Sequence, residues 1–151
     1  MYQGKDGDAH VQRQIEEDIF KLLKEEFGAA DLERNKVLPL PCDSAVKIQP
    51  DFYSQSQKII GEIHSHLGKL KPAQKHKVAA DILKLHLFDP ENEYLKYYVV
   101  CDTEEEKLLK GNSYLAAARK AFGIEVRYID IGAERRTDLR EAMDKQNMFP
   151  G

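Results

Sequence analysis

Pro50-Asp51-Phe52-Tyr53, followed by Ile59-Ile60-Gly61-Glu62-Ile63-His64, is the stretch on which the reading of this chain turns. Each segment is short and rich in β-branched and aromatic residues, and each carries one acid, so the pair reads as two strands delivering a carboxylate apiece to a common edge. Asp51 and Glu62 lie eleven residues apart. Along residues 46–52, strand alternation sends Val46, Ile48 and Phe52 to one side and Asp51 to the other. Two hard oxygen donors held in this way outline a divalent-cation site suited to Mg2+ or Mn2+.

Working outward, residues 33–41, 46–53 and 57–67 read as an antiparallel meander, broken at Pro41-Cys42-Asp43-Ser44 and closed at Gly68. Upstream, Val11, Ile15, Ile19, Leu22, Leu23 and Phe27 recur at helical spacing from His10 until Gly28 stops them. Residues 1–9 are polar and aperiodic and are expected to fray. Downstream, Pro72 opens a helix to about Phe88, with Val78, Ile82 and Leu85 on its apolar face, and Asp89-Pro90-Glu91-Asn92 breaks it. Tyr94–Cys101 has the unbroken apolar character of a central strand. Thr103 with Glu106 reads as a capping box, Ser113–Phe122 as a helix, 124–131 as the last strand, and Glu134 to about Gln146 as a polar helix holding Leu139 and Met143. The expected fold is α/β: a mixed five-stranded sheet, its first three strands antiparallel, flanked by helices in the order αβββαβαβα. The expected organisation is one domain over residues 10–151.

With 151 residues and 42% hydrophobic content, the chain can bury one ordinary core. Cys42 and Cys101 are far apart and form no CxxC pair, which speaks against a zinc knuckle or a disulfide framework and fits a reducing cytoplasm. No apolar run approaches membrane-spanning length. The net charge of −3 conceals an uneven distribution. Between Lys58 and Phe88 there are six lysines against two acids, together with four of the five histidines. A basic middle beside metal-type carboxylates suits a phosphate backbone, with Lys69, Lys71 and Lys75 as candidate contacts, although lysines on a solvated helix face are common.

Two further features carry chemistry, one on each long helix. Glu16 falls inside the apolar stripe of the first helix while Glu17 and Lys21 point to solvent, so Glu16 requires a partner unless it lies at the stripe's edge and reaches water. In the second long helix Gln74, Lys77, Asp81 and Lys84 form a polar row, and a fold-back through Gly68-Lys69-Leu70-Lys71 would bring Gln74 and Lys77 over Glu62. The plainer reading of that row is a solvated flank with a Lys77–Asp81 pair.

A helix with an inward acid, Pro-Asp-Phe-Tyr, Ile-Ile-Gly-Glu-Ile and a Gln-bearing helix together resemble the PD-(D/E)XK (restriction-endonuclease-like) nuclease superfamily. The run from Gly61-Glu62 through Gly68-Lys69-Leu70-Lys71-Pro72 and Gln74 to Asp81-Ile82-Leu83-Lys84-Leu85 is similar to a group of small, poorly characterised proteins placed there. The likeness spans about Val11 to Ile131, its order and spacing carrying more weight than any single motif. It implies that Asp51 and Glu62 bind the ion, with the Ile63 carbonyl as a third ligand, and that Glu16 and Gln74 assist. It further implies a nucleic-acid substrate and, since proteins of this build often pair, a homodimer.

At position 64 the superfamily pattern has lysine and this chain has histidine. Lys77, Lys71 or Lys69 would then supply the activating charge, or His64 would act as a general base; with none of these, the fold binds without cutting. His64-Ser65-His66 also resembles the JAMM-type zinc isopeptidases, but Leu67 stands where they have proline and no Ser-x-x-Asp follows at their spacing. His66 reads more simply as a surface histidine near a strand end.

Overall fold

All six residues of the strand Ile59–His64 are buried, and the rest of the molecule is arranged about it. The computed structural model describes residues 4–148, with side chains from 9 to 145. The elements in order are α1 (Gly4–Phe27), β1 (Leu38–Leu40), β2 (Asp43–Ile48), β3 (Phe52–Ser54), β4 (Ile59–His64), α2 (Pro72–Phe88), β5 (Leu95–Val100), α3 (Thr103–Lys110), α4 (Tyr114–Ala121), β6 (Ile124–Tyr128) and α5 (Ala133–Met148). The fold is α/β, a mixed sheet flanked by helices, with strand order β3-β4-β5-β6. β3 runs antiparallel to β4, while β4, β5 and β6 are parallel, joined by α2 and by the α3–α4 pair.

Strand alternation divides the core in two. Ile60, Tyr98 and Val100 pack against Val78, Ile82 and Leu85 of α2, with Leu109 and Leu115 from α3 and α4. On the opposite face Ile59, Ile63, Val99 and Cys101 meet Ile15, Ile19 and Leu23 of α1 and Leu139 of α5. Gly61 on β4 is paired with Phe52 of β3 on one side and Tyr97 of β5 on the other. A Cβ there would stand 2.7 Å from the Tyr97 carbonyl oxygen and collide with the Phe52 ring.

The expected three-strand meander, and with it the five-stranded sheet, is corrected in its first half. β1 and β2 form a separate two-stranded sheet, so the main sheet has four strands. The expected strand 46–53 is cut at Gln49-Pro50-Asp51, because Pro50 has no N–H to offer a ladder. Val46 is consequently exposed, at 46%, instead of sharing a face with buried Ile48 and Phe52. Only 38–40 of the expected strand 33–41 is extended, and Glu33 makes an isolated bridge with Tyr53.

Other boundaries shift modestly. β4 ends at His64, although Ser65, His66 and Leu67 stay buried, and β6 ends at Tyr128. α3 is capped by Asp102, whose carboxylate accepts the Glu104 N–H at 2.9 Å, whereas Glu106 pairs with Lys110. Ser113 caps α4 as its sequence suggests. Leu22, expected in the apolar stripe of α1, is exposed and Phe20 is buried. Residues 1–3 of the expected frayed start lie outside the described residues; from Gly4 the backbone is helical. Both cysteines are free, Cys42 exposed and Cys101 buried. Among the described residues no helix is long and apolar enough to cross a membrane.

Candidate functional site

Phe52 pairs with Gly61, so Asp51, one residue earlier, arrives opposite Glu62. Its Oδ2 accepts the Ile63 N–H at 2.6 Å, which fixes the carboxylate against β4. Glu62 is buried on the same side. Its pKa is raised well above the carboxylate range by burial first, then by the charges of Asp51 and Asp81 and by a hydrogen bond with the Asp51 carboxyl. These two acids share the floor of a cavity of about 430 Å³ with Ile63, His64 and Ser65.

Each wall of the cavity brings a sequence-predicted residue. From α1, half-buried Glu16 accepts a hydrogen bond from Ser65 Oγ at 2.8 Å, and Arg34 Nη2 lies 3.8 Å from its other oxygen. Burial raises the Glu16 pKa, the Ser65 hydrogen bond opposes that, and the charge of Asp51 adds to it. From α2, Lys77 Nζ bonds Asp81 Oδ2 at 2.9 Å, and Tyr98 OH donates to the same oxygen at 3.3 Å. Burial works to lower the Lys77 pKa, but Asp81, followed by Glu62 and Asp51, outweighs it and leaves the pKa raised. The Lys77–Asp81 pair of the plainer reading is therefore present, and Lys77 still feels both floor acids. Gln74 lines the cavity, with its Oε1 accepting the Lys71 N–H at 2.8 Å and so closing the first turn of α2.

His64 also lines the cavity, but its Nδ1 is 2.5 Å from Glu105 Oε2, and Glu105 on α3 is fully buried with its Oε1 unpartnered among the described residues. His66 is corrected from a surface residue to a buried one: its ring stacks on His64 at 5.4 Å and its Nε2 lies 3.4 Å from the Lys69 carbonyl. Burial lowers the His66 pKa, and the neighbouring His64 adds to that effect. Glu17, expected in solvent, is half-buried against Arg34 at 3.0 Å. Of the three candidate phosphate lysines, Lys71 borders this cavity, and Lys69 and Lys75 border a neighbouring groove.

Three contributors escaped the sequence reading. Arg34 donates from Nε to the Asp51 carbonyl at 3.1 Å while pairing with Glu16 and Glu17, and so ties α1 to the loop that carries Asp51. Nothing local in Glu33-Arg34-Asn35 announces this, because the contact spans seventeen residues. Ser65 holds Glu16 from 49 residues away. Glu105 looks like one of three ordinary first-turn acids of α3, and only the packing of that helix separates it from the other two.

Among the described residues, no group of three or more His, Cys, Asp or Glu side chains is arranged to hold a metal ion. The side-chain donor set at the floor is thus two carboxylates. No protein-family model matches the chain, and a comparison with curated proteins found no match. Among solved structures, one described as "Protein of Unknown Function AF1548" aligns with a TM-score of 0.45 at 9% identity, covering 91% of this chain and 67% of its own. A likeness of that degree bears on neither ancestry nor activity.

Proposed function

We propose that the cavity is the site of a divalent-cation-dependent phosphodiesterase acting on nucleic acid, of the PD-(D/E)XK type. The observation that carries this reading is the meeting of Asp51 and Glu62, delivered by adjacent segments to one cavity floor. Two carboxyl groups pressed together in a partly desolvated place repel each other once ionised, and a hard cation is the partner that relieves both. Two carboxylates with the Ile63 carbonyl suit Mg2+ or Mn2+, which take few protein oxygens and leave positions for water and phosphate. When bound, such an ion polarises a phosphoryl oxygen and lowers the pKa of water.

The remaining work belongs to the chain's own residues. Lys77 brings a positive charge from α2 to the cavity rim, where it would offset charge developing on a phosphate in place of the strand lysine. Glu16, held by Ser65 and Arg34, would accept a hydrogen bond from the attacking water and orient it. Gln74, whose amide carbonyl is taken by Lys71, has its NH2 group left to donate to the substrate. Ile63 N–H sets the Asp51 carboxylate in place.

Asp51→Asn removes one of the two floor charges with little change in shape. Cleavage of single- and double-stranded DNA and RNA, assayed with Mg2+ or Mn2+, should fall by about 100-fold or more; undiminished cutting would remove the proposal. One observation favours a second reading, a binding or assembly module without catalysis: the residue at the lysine position, His64, is buried and engaged with Glu105. Absence of cleavage by the native protein, with strand binding retained, selects that reading.

A further inference from the structure

A second depression lies behind the first turn of α2. Its volume is about 510 Å³, and it is lined by Lys69, Leu70, Lys75, Glu104, Lys107 and Leu108. Lys69 comes from the β4–α2 loop, Lys75 from α2 and Lys107 from α3, so three separate segments direct a cation to one groove. The loop and the start of α2 form the wall between this groove and the acidic cavity: Lys71, Gln74 and Lys77 line one side, Lys69 and Lys75 the other. Among the described residues Lys69, Lys75 and Lys107 enter no ion pair, whereas Lys77, Lys96 and Lys110 each do. Against the three lysines stands one acid, Glu104. The contact between His66 Nε2 and the Lys69 carbonyl helps hold the wall in place before any ligand arrives.

We infer that this groove carries the phosphodiester backbone of a nucleic-acid strand away from the acidic cavity, with Lys107 as a contact that the sequence did not disclose. The inference deepens the proposed function and rests on it for the strand's direction, though binding in the groove is measurable without cleavage. Lysines neutralise phosphates as point charges. The lining has no aromatic ring on which a base could stack and no Arg, Asn or Gln to read a base edge, so the groove takes the backbone of any sequence.

Fluorescence anisotropy on the full chain in EDTA, with labelled single-stranded DNA and RNA of one sequence, reads binding with cation-dependent cleavage switched off. The native protein should bind both, weakening as salt rises. Lys69→Gln, Lys75→Gln and Lys107→Gln combined should lower the slope of log affinity against log salt by about 2, and Lys107→Gln alone by about 0.7, the value of one single-strand phosphate contact. Lys47→Gln, on the separate β1–β2 hairpin, should leave the slope unchanged. An unaltered slope in the triple variant, or no binding by the native protein, overturns the groove. Competition by inorganic phosphate as effective as by the unlabelled strand overturns it too, since a simple anion site would then suffice. DNA bound more tightly than RNA, or the reverse, identifies the natural source of the strand only if the triple variant abolishes that difference; a difference that survives places discrimination elsewhere and contradicts the groove as the main strand contact. Cleavage by Asp51→Asn decides the catalytic reading separately, whichever way the groove falls.

Discussion

Glu62 sits in surroundings that disfavour an ionised side chain. It is buried, faces Asp51 and Asp81, and has its pKa raised by burial first and by those two charges next. The sign of the consequence follows from proton linkage. An acid that binds its proton more tightly in the folded chain than in the unfolded one contributes stability that is complete below the unfolded value, here 4.5, and declines as pH climbs toward the raised folded value. Cation-free protein should therefore lose stability as pH rises from mildly acid toward neutral. Glu62→Gln should lack this part of the decline and be more stable near neutrality by about 1 kcal/mol or more, the difference vanishing in acid. Urea denaturation across that range checks it, and parallel pH profiles for the two proteins would refute it. At this scale the sequence brought Asp51 and Glu62 together because Glu62 sits in a short apolar strand and Asp51 immediately precedes the strand that pairs with it. It did not identify Arg34, Ser65 or Glu105, whose roles arise from contacts across 17, 49 and 41 residues.

Among the elements, β4 and its neighbours set the spacing of the site. Gly61 lets β3 lie close to β4 and lets the Phe52 ring cross above it. The ring could turn aside for a methyl group, but the Tyr97 carbonyl, 2.7 Å from where a Cβ would be, belongs to the β5 ladder and cannot. Gly61→Ala should cost about 1–3 kcal/mol, as overpacking does, and should weaken Mn2+ binding by moving Asp51 relative to Glu62. Thermal unfolding and calorimetry measure the two effects; a variant with native stability would contradict this account of the strand packing. The helices and central strands were legible because their apolar periods are long and their caps are explicit, as at Ser113 and Pro72. The β1–β2 hairpin was legible as an antiparallel pair about Pro41-Cys42, but its separation from the main sheet was not, because Val46-Lys47-Ile48 alternates as a main-sheet strand would and only Pro50 signals the break. The expected order counted one helix between β5 and β6 where the chain forms two, α3 and α4, and the cap read at Thr103 falls one residue late, since Asp102 and Thr103 are both good capping types.

At the scale of the molecule, β4 joins two half-cores into one scaffold, and the acids gather where that strand's end meets α1 and α2. The sequence could place carboxylates on neighbouring strands and lysines on the following helix. It could not show that α2 is a wall with a cavity on one side and a basic groove on the other, because that depends on how α3 docks. The arrangement supports a cation between Asp51 and Glu62, and every role proposed for the cavity depends on it. Isothermal calorimetry of Mn2+ into the metal-free native chain and into Asp51→Asn tests this most directly. The account predicts binding to the native protein in the micromolar to millimolar range, usual for weaker oxygen-ligand sites, and its loss in the variant. No heat from the native chain, or equal heat from both, would contradict it.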